Sequence, residues 1–270
     1  MTATLEARTT TQRVTQVRVL RSELTKLRSL RSTVWSLLAA LVLILGLSVL
    51  VPAVRVAHWP PPDPNEVRNF DPVGMSLGGT FLAQMAVGVL GVLLITGEYA
   101  TGMIRATLAA VPKRLPVLWA KLGVFGAVSL ALVTPAVLAA FFIGQAILSS
   151  KNIDTTFGAP GVARAVIGSA LYVVGVGLLG LALGALLRNT AAAISTLFGV
   201  LFVLPLIVRL LPSDWQSHIS RYLPLNAGQS VTTNRPDAGS MAPWTGFGLF
   251  CAYIAVVVAV AAWELRRRDV

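Results

Sequence analysis

The sequence predicts an all-α, polytopic membrane protein with six transmembrane helices, and three observations point to that class. First, the mean hydropathy is +0.75 and only 12% of the 270 residues carry a charge, whereas about a quarter of the residues in a soluble domain do. Second, six uncharged stretches are long enough to match the roughly 20 apolar residues that an α-helix needs to cross a bilayer. Third, these stretches lack the alternating pattern of barrel strands, so a helical bundle is favoured over a β-barrel.

The limits of the spans follow from the positions of the charged residues. The uncharged stretches are Val34–Val54, Val73–Thr96, Leu122–Ser150, Ala165–Leu187, Asn189–Val208 and Ala238–Trp263. The transmembrane helices predicted from them cover about residues 34–54, 73–96, 117–148, 163–187, 189–210 and 244–264. Residues 13–270 are predicted to form a single transmembrane domain, and the threonine-rich residues 1–12 are predicted to be disordered.

Basic residues are distributed unequally between the two sides of the predicted bundle. The N-terminal arm, the polar insert Thr96–Leu122, the turn at Arg188 and the C-terminal tail share one side and hold 15 of the 22 lysines and arginines. The other side holds seven basic and six acidic residues. Because cytoplasmic flanks retain lysine and arginine, both termini are expected in the cytoplasm, in a multi-pass protein of the plasma membrane. With 33 residues before it, the first span is too long for a cleaved signal peptide and is expected to stay in the mature chain.

Several classes of function are disfavoured by the composition. The net charge of +11 lies where the positive-inside rule places it, without an aromatic–basic platform, so no nucleic-acid partner is expected. The uncharged stretches contain no ionisable Asp, Glu, Lys, Arg or His, which disfavours coupling to protons or sodium. No lysine follows a glycine, so the chain lacks a Walker A loop for ATP. His58, His218 and the single Cys251 form no metal or thiol motif, and Cys251 is expected to be a small core residue.

The N-terminal arm is predicted to form a basic amphipathic helix. Apolar residues recur every three or four positions between Val14 and Leu30. Such a helix is expected to lie along the inner leaflet, where each basic residue contributes on the order of 1 kcal/mol against anionic lipid. A partner protein is the alternative occupant of this surface, because two of the arginines lie close to the apolar stripe. The basic residues assigned to the helix are Arg18, Arg21, Lys26, Arg28 and Arg31.

The insert between the second and third spans is predicted to contain a short amphipathic helix. Ile104, Leu108 and Val111 stand at i, i+4 and i+7 and form an apolar stripe on about three helical turns, which is too short to cross a membrane. Gly102 is a flexible residue before this segment, and Pro112 stops the helix after it. The apolar face must therefore be buried on the bilayer, on the bundle or on a partner.

Small residues and prolines within the spans predict how the helices pack. Gly177, Gly180 and Gly184 stand at spacings of three and four, which lets helix backbones approach closely. Packing inside one subunit is favoured over a dimer seam, since glycine-rich faces are common in multi-span bundles. Pro135 and Pro205 fall within spans and can kink their helices.

The segment Leu211–Pro243 predicts a short helix at the outer interface of the membrane. Trp215, Ile219 and Tyr222 stand at helical spacing with prolines on either side. This element is expected to anchor the chain at the interface, and gating of an exit path is the alternative.

Four segments carry a resemblance to a known family. GEYATGMIRATLAAVPKRLPVLWAK, RSELTKLRSLRSTVWSLL, LGALLRNTAAAISTLFGVLFVLPL and YLPLNAGQSV resemble the permease subunit of type-2 ABC exporters, especially the compact actinobacterial ones. The similarity covers nearly the whole chain. It implies a non-catalytic six-span subunit that pairs with a second copy of itself, as a homodimer, or with a paralogous permease. It further implies two separate ATP-binding subunits, which bind ATP and Mg and hydrolyse the ATP, and no cofactor in this chain.

The resemblance also implies roles for particular residues. Arg13–Leu30 corresponds to the family's elbow helix, and Gly102–Val111 corresponds to its coupling helix, which binds in a cleft of the ATPase. Met103 departs from the pattern, which has a small hydroxyl residue there more often. The residues assigned to ATPase coupling are Glu98, Tyr99, Gly102, Ile104, Arg105, Leu108, Val111, Pro112 and Arg114, and Lys121 also matches the family pattern. Arg105 is expected to pair either with Glu98 or with an acidic residue of the ATPase.

The function expected from this resemblance is ATP-driven export. The cavity between two paired bundles would have apolar walls, which favours an amphipathic or hydrophobic cargo such as a drug, an antibiotic, a peptide or a lipid. The alternative is a non-transporting membrane scaffold or immunity protein that captures a toxic ligand.

The charge distribution predicts which single cysteines are accessible in a Cys251→Ser background. Cysteines at Asn65, Ser150 and Asn234 should react with an impermeant thiol reagent in intact cells, whereas one at Ala110 should react only after permeabilisation. Labelling at Ala110 in intact cells would overturn the predicted orientation.

Overall fold

The computed structural model describes residues 16–29, 31–103, 114–234 and 239–267 of the chain. Every regular element in these ranges is helical. Six spans within them are long and apolar enough to cross a membrane: Val34–Ala57, Pro72–Ala100, Leu115–Lys151, Val162–Leu187, Thr190–Val208 and Pro243–Arg267. The predicted all-α class and its six long apolar helices are therefore confirmed, and they indicate a multi-pass membrane protein.

Long helices alternate with shorter ones along the described chain. The α-helices are α1 (Gln16–Ser29), α2 (Arg31–Ala57), α3 (Pro64–Arg68), α4 (Pro72–Leu77), α5 (Gly79–Ala100), α6 (Arg114–Leu148), α7 (Val162–Leu187), α8 (Thr190–Phe198), α9 (Leu204–Val208), α10 (Ser213–Ile219), α11 (Pro224–Gln229) and α12 (Pro243–Arg267). Turns of 3-10 helix lie at Ser149–Lys151 and Ser220–Tyr222, and a π-helical turn lies at Gly199–Val203.

The long helices extend beyond the uncharged stretches of the sequence. Arg55 lies within α2, Glu98 within α5, Lys121 within α6, Arg164 within α7 and Glu264 within α12. The spanning helices therefore include charged residues near their ends, outside the uncharged stretches. An α-helix is held by hydrogen bonds between backbone groups, so a charged side chain on its surface does not end it.

Helix α7 is the centre of the bundle. It packs against α5, α6, α8 and α12. In its most apolar 18-residue window 78% of the residues are buried, compared with 22% in the corresponding windows of α2 and α12. Helices α5, α6, α8 and α12 therefore surround α7, whereas α2 packs on α5 and α6.

The predicted glycines lie on the face of α7 that contacts α5. A methyl group added at Gly180 would collide with the carbonyl oxygen of Gly88, and one added at Gly91 would collide with the carbonyl oxygen of Gly177. A methyl group at Gly184 would also press on α5. The two backbones approach closely because no side chain stands between them, and the contact lies within a single chain. We call this contact the glycine seam.

The fifth span contains a π-helical turn. Helix α8 continues through Gly199–Val203 into α9, whose second residue is Pro205. Proline has no amide hydrogen, and its ring clashes with the carbonyl group four residues earlier, which is that of Leu201. The wider π turn includes Leu201 and accommodates the clash. Pro135, by contrast, lies inside α6 without a break in the helix.

The spans alternate in direction, so the bundle has two ends. One end carries α1, the C-terminal ends of α5 and α7 and the N-terminal ends of α6 and α8; we call it the α1 end. There the Thr190 hydroxyl donates a hydrogen bond of 2.9 Å to the Thr96 hydroxyl. The opposite end, which we call the far end, holds α3, α4, α10 and α11. There Gln145 Nε2 donates a hydrogen bond of 2.9 Å to Ser76 Oγ.

The short helix predicted after the fifth span is confirmed. Trp215 and Ile219 lie on α10, and Tyr222 lies in the 3-10 turn that follows. The Tyr253 hydroxyl of α12 donates a hydrogen bond of 2.8 Å to the Tyr222 carbonyl oxygen. This bond connects the 3-10 turn after α10 to the last span. The position of α10 at a membrane interface stays a prediction.

Cys251 is exposed, so the prediction that it is a core residue is wrong. It lies on α12, one of the least buried spans. Its neighbour Phe250 is fully buried against the bundle, while Cys251 lies on the outer face of the helix. A helix that is apolar on every side does not show in its sequence which face is buried.

The glycine seam predicts that Gly180→Ala destabilises the bundle. The new methyl group would meet the backbone of Gly88, which cannot move aside without shifting α5, so we expect a cost of about 1–3 kcal/mol. The matched control is Gly123→Ala on α6, where an added methyl group has no neighbouring atom within 4 Å. Alanine favours helix over glycine, so the control should gain up to about 1 kcal/mol. Thermal unfolding in detergent measures both, and equal melting temperatures would contradict the close approach.

Candidate functional site

A buried group of four charged side chains joins three helices at the α1 end. Lys121 of α6 donates hydrogen bonds from Nζ to Glu23 Oε2 at 2.6 Å and to Glu98 Oε1 at 2.7 Å. Lys26 donates from Nζ to Glu23 Oε1 at 2.8 Å and to Glu98 Oε1 at 3.0 Å. Glu23 and Lys26 belong to α1, and Glu98 belongs to α5. We call these four residues the ion cluster; its two positive and two negative charges balance.

The side chains of the ion cluster are largely buried. The side chains of Lys121, Glu23 and Glu98 are only 1%, 3% and 8% exposed, and that of Lys26 is 24% exposed. Lys121 is among the largest fully buried side chains of the described residues. A charge this deeply buried persists only if opposite charges and hydrogen bonds replace the water it has lost. Each carboxylate in the cluster provides that replacement for two ammonium groups.

Apolar packing brings α1 to this position. Helix α1 contacts α6 and α2, and Leu27 on α1 is only 4% exposed, with Leu24 packed beside it. Glu23, Lys26 and Leu27 stand three and four residues apart, so they share one face of the helix. The same face therefore buries a leucine against the bundle and delivers two charges to the ion cluster.

Lys26 lies outside the spanning helices and is the most exposed member of the ion cluster. Burial lowers the pKa of its ammonium group, but the hydrogen bonds and charges of Glu23 and Glu98 outweigh burial and raise the pKa above its ordinary value of 10.5. The folded state therefore holds this proton more tightly than the unfolded state does. The resulting stability is complete below pH 10.5 and is lost as the pH rises through the higher folded-state pKa. Lys26 stays charged throughout the physiological range.

Tyr99 and Gly102 follow Glu98, one member of the ion cluster, along the chain. The guanidinium carbon of Arg188 lies 5.6 Å from the centroid of the Tyr99 ring, a cation–π contact. The Tyr99 hydroxyl and two guanidinium nitrogens of Arg188 are buried without a hydrogen-bond partner among the described residues. Gly102 has a φ of +71°, a left-handed conformation that strains other residues, and the chain leaves α5 there.

The other predicted site residues are spread over the α1 end or fall outside the described ranges. Arg21 is exposed on α1. Arg18 and Arg28 also lie on α1, Arg31 begins α2, and Arg114 begins α6. Ile104, Arg105, Leu108, Val111 and Pro112 lie outside the described residues. The amphipathic helix of the insert and both partners proposed for Arg105 therefore stay predictions, as does the disorder of residues 1–12, which also lie outside these ranges.

Sequence reasoning missed Glu23 and gave Lys121 no structural role. One signal was present: Glu23 is the single acidic residue of α1. A second was that Glu98 is the first charge after the second uncharged stretch and Lys121 is the last charge before the third. Opposite charges at the facing ends of two adjacent spans, beside a basic helix with one carboxylate, predict a shared ion pair.

Comparisons with known proteins do not assign this chain to a family. No protein-family model matches it, and no curated protein matches it. Among the described residues, no group of three or more His, Cys, Asp or Glu side chains could hold a metal ion. The chemistry of the candidate site is therefore that of the ion cluster itself: it fixes the relative positions of three helices.

The ion cluster predicts that Lys121→Met is strongly destabilising. This change leaves Glu23 and Glu98 buried with only Lys26 to balance them, and an uncompensated buried charge costs about 3–5 kcal/mol. The control is Glu66→Gln, which removes an ion pair with Arg55 in which Glu66 is 54% exposed; it should cost at most about 1 kcal/mol.

A charge-balanced variant separates loss of pairing from loss of packing. Glu23→Gln combined with Lys121→Met leaves one Lys26–Glu98 pair and should recover most of the stability lost by Lys121→Met alone. Thermal unfolding in detergent measures the stability of the single variants and of the double variant. If the single and double variants are equally unstable, charge pairing does not hold this site together.

Proposed function

We propose that this chain is the permease subunit of an ATP-driven exporter of the type-2 ABC class. The observation that carries the proposal is the ion cluster, which ties α5 and α6 to each other and to α1. A permease driven by a separate ATPase needs a firm mechanical connection between the segment that contacts the ATPase and the helices that line the transport path. The ion cluster supplies such a connection beside the segment predicted to contact the ATPase.

The position of the ion cluster in the chain supports this role. Helix α5 ends at Ala100 and α6 begins at Arg114, so a force applied to the residues between them acts on both helices. Glu98 lies two residues before the end of α5, and Lys121 lies seven residues after the start of α6. Because the ion cluster joins these points to α1, the three helices should move as one unit.

The glycine seam carries the movement into the bundle. Helix α5 packs along α7 with the backbones in contact, so α5 cannot shift without displacing the central helix. In the proposed mechanism, ATP closes a dimer of partner subunits, and the coupling segments of two permease copies are pushed together. The cavity between the paired bundles is then compressed from the α1 end, which the proposal places in the cytoplasm.

The cargo is proposed to be amphipathic or hydrophobic. Apolar side chains on the outer faces of the long helices are exposed, for example Val42, Leu206 and Val256, each at least 60% exposed. A cavity formed between two such bundles would have mainly apolar walls, which suit a drug, an antibiotic, a peptide or a lipid.

The coupling assignment predicts that Leu108→Asp prevents association with the ATPase. A charge buried at this contact should cost roughly 3–5 kcal/mol, a several-hundred-fold or greater loss of affinity. The matched control is Thr107→Asp, which adds the same charge on another face of the predicted helix. Pull-down of ATP-hydrolysing activity with the tagged permease, after a check that each variant reaches the membrane, measures the effect. Normal association of Leu108→Asp would rule out this segment as the ATPase contact.

The ion cluster predicts a different defect. The charge-balanced variant Glu23→Gln/Lys121→Met should bind the ATPase normally, because Leu108 is unchanged, but should lose export, because α6 is no longer joined to Glu98. Export is measured with a panel of amphipathic compounds in cells that produce both subunits. Full export by this variant would contradict mechanical coupling through the cluster. A scaffold that merely captures a ligand would instead protect cells whether or not the ATPase is active.

A further inference from the structure

The far end contains a polar cavity that the proposed ATPase coupling does not use. Its volume is about 430 Å³. The described residues that line it include two arginines, Arg209 and Arg221, two amides, Asn226 and Gln229, and five hydroxyl-bearing side chains. None of these lining residues is acidic. The cavity thus combines two positive charges with polar side chains.

The two arginines are not neutralised by any described residue. Arg209 and Arg221 form no ion pair within the described part of the chain. The guanidinium carbon of Arg221 lies 5.0 Å from the centroid of the Tyr222 ring, which leaves its edge free to donate hydrogen bonds. Asp214 lies on the neighbouring helix α10, but it is exposed and does not line the cavity.

A second cavity of about 200 Å³ adjoins the polar one. The two share Arg209, Ser220 and Asn226. The second cavity is otherwise lined largely by apolar side chains, including Val208 and Leu223, which are themselves only 5% and 6% exposed. Beyond the shared residues, the arginine-lined cavity is therefore continued by a space with four apolar side chains, Pro205, Val208, Leu223 and Leu225.

We infer that the far end binds an amphipath that carries a phosphate group. The phosphate oxygens accept hydrogen bonds from Arg209 and Arg221, because a guanidinium group presents paired donors that match phosphate geometry. Ser217, Ser230 and Thr233 already donate to backbone carbonyl oxygens. The Ser220 hydroxyl and the second amide hydrogen of Asn226 are therefore the donors for the remaining oxygens, and the start of the hydrocarbon chain lies against the apolar side chains of the second cavity. Phospholipid-like molecules have both parts, whereas inorganic phosphate has only the first. This inference does not depend on the ATPase coupling proposed above.

The first test compares ligands that differ in one part only. The full chain is purified in detergent, and binding is measured for dioleoyl phosphatidic acid, for dioleoylglycerol, which lacks the phosphate, and for inorganic phosphate, which lacks the chains. Phosphatidic acid should bind most tightly, and dioleoylglycerol should not compete with it. Equal affinity for inorganic phosphate and phosphatidic acid would overturn the amphipath and leave a site for free phosphate. Equal affinity for phosphatidic acid and dioleoylglycerol would overturn the phosphate site.

The second test removes the two charges. Arg209→Gln/Arg221→Gln should weaken binding of phosphatidic acid at least about tenfold, because hydrogen bonds to a charged group are lost. The matched control is Arg68→Gln/Lys151→Gln, which removes the same charge from the far end at residues that do not line the cavity. Equal losses in the two double variants would show general attraction to a basic surface and would overturn the site.

A third measurement leaves both arginines in place and so does not depend on the folding of the arginine variants. Ser240 lines the polar cavity and is exposed. In a Cys251→Ser background, phosphatidic acid should slow labelling of Ser240→Cys by a soluble thiol reagent at least about fivefold, while labelling of Ser150→Cys, outside the cavity, should not change. Unchanged labelling at Ser240→Cys with saturating phosphatidic acid would place the lipid elsewhere.

Discussion

The architecture of the α1 end depends on one interaction, the contact of the Lys121 ammonium group with the carboxylates of Glu23 and Glu98. A lysine that is 1% exposed has lost nearly all its water, and the free energy of that loss is recovered only while both carboxylates stay within hydrogen-bond distance. Each of the three residues lies on a different helix, so the requirement fixes α1, α5 and α6 relative to one another. Lys26 supplies the fourth charge, without which the cluster would be negative.

The ion cluster also changes the interpretation of α1. A basic amphipathic helix is expected to lie on the membrane surface, with its charges directed to lipid headgroups. In the structure, Leu27 and Glu23 on one face of α1 are buried against the bundle, while Arg21 on another face is exposed. Helix α1 is therefore part of the packed structure, while Arg21 remains exposed on its other side.

Much of the fold is predictable from the sequence because hydrophobic length is a direct physical requirement of a spanning helix. The six long helices follow from it, and the approach of α5 and α7 follows from the spacing of Gly177, Gly180 and Gly184. The exact ends of the helices cannot be predicted in the same way, because α5 and α6 extend by another turn or more to include Glu98 and Lys121, whose opposite charges balance each other.

The sequence also does not predict which face of α12 is buried. Its apolar residues lie on every face, so only its neighbours determine that Phe250 is buried and Cys251 is exposed. The ion cluster needed three-dimensional information, since Glu23 and Lys121 are 98 residues apart.

The two ends of the bundle differ in whether their charged side chains are paired with opposite charges. At the α1 end each ammonium group of the ion cluster lies within 3.0 Å of two carboxylates, so the charges of the cluster compensate one another and hold three helices together. At the far end Arg209 and Arg221 line an open cavity with hydroxyl and amide groups. No residue in the described ranges forms an ion pair with either arginine, so their charges suit an anion from outside these ranges. A compensated buried charge stabilises one geometry, whereas an uncompensated charge beside apolar side chains favours a ligand that is itself anionic and apolar. The mechanical input proposed at the α1 end and the ligand recognition inferred at the far end thus use different charged groups. The central helix α7 contacts α5 through the glycine seam and contacts Val231 at the far end through Gly168.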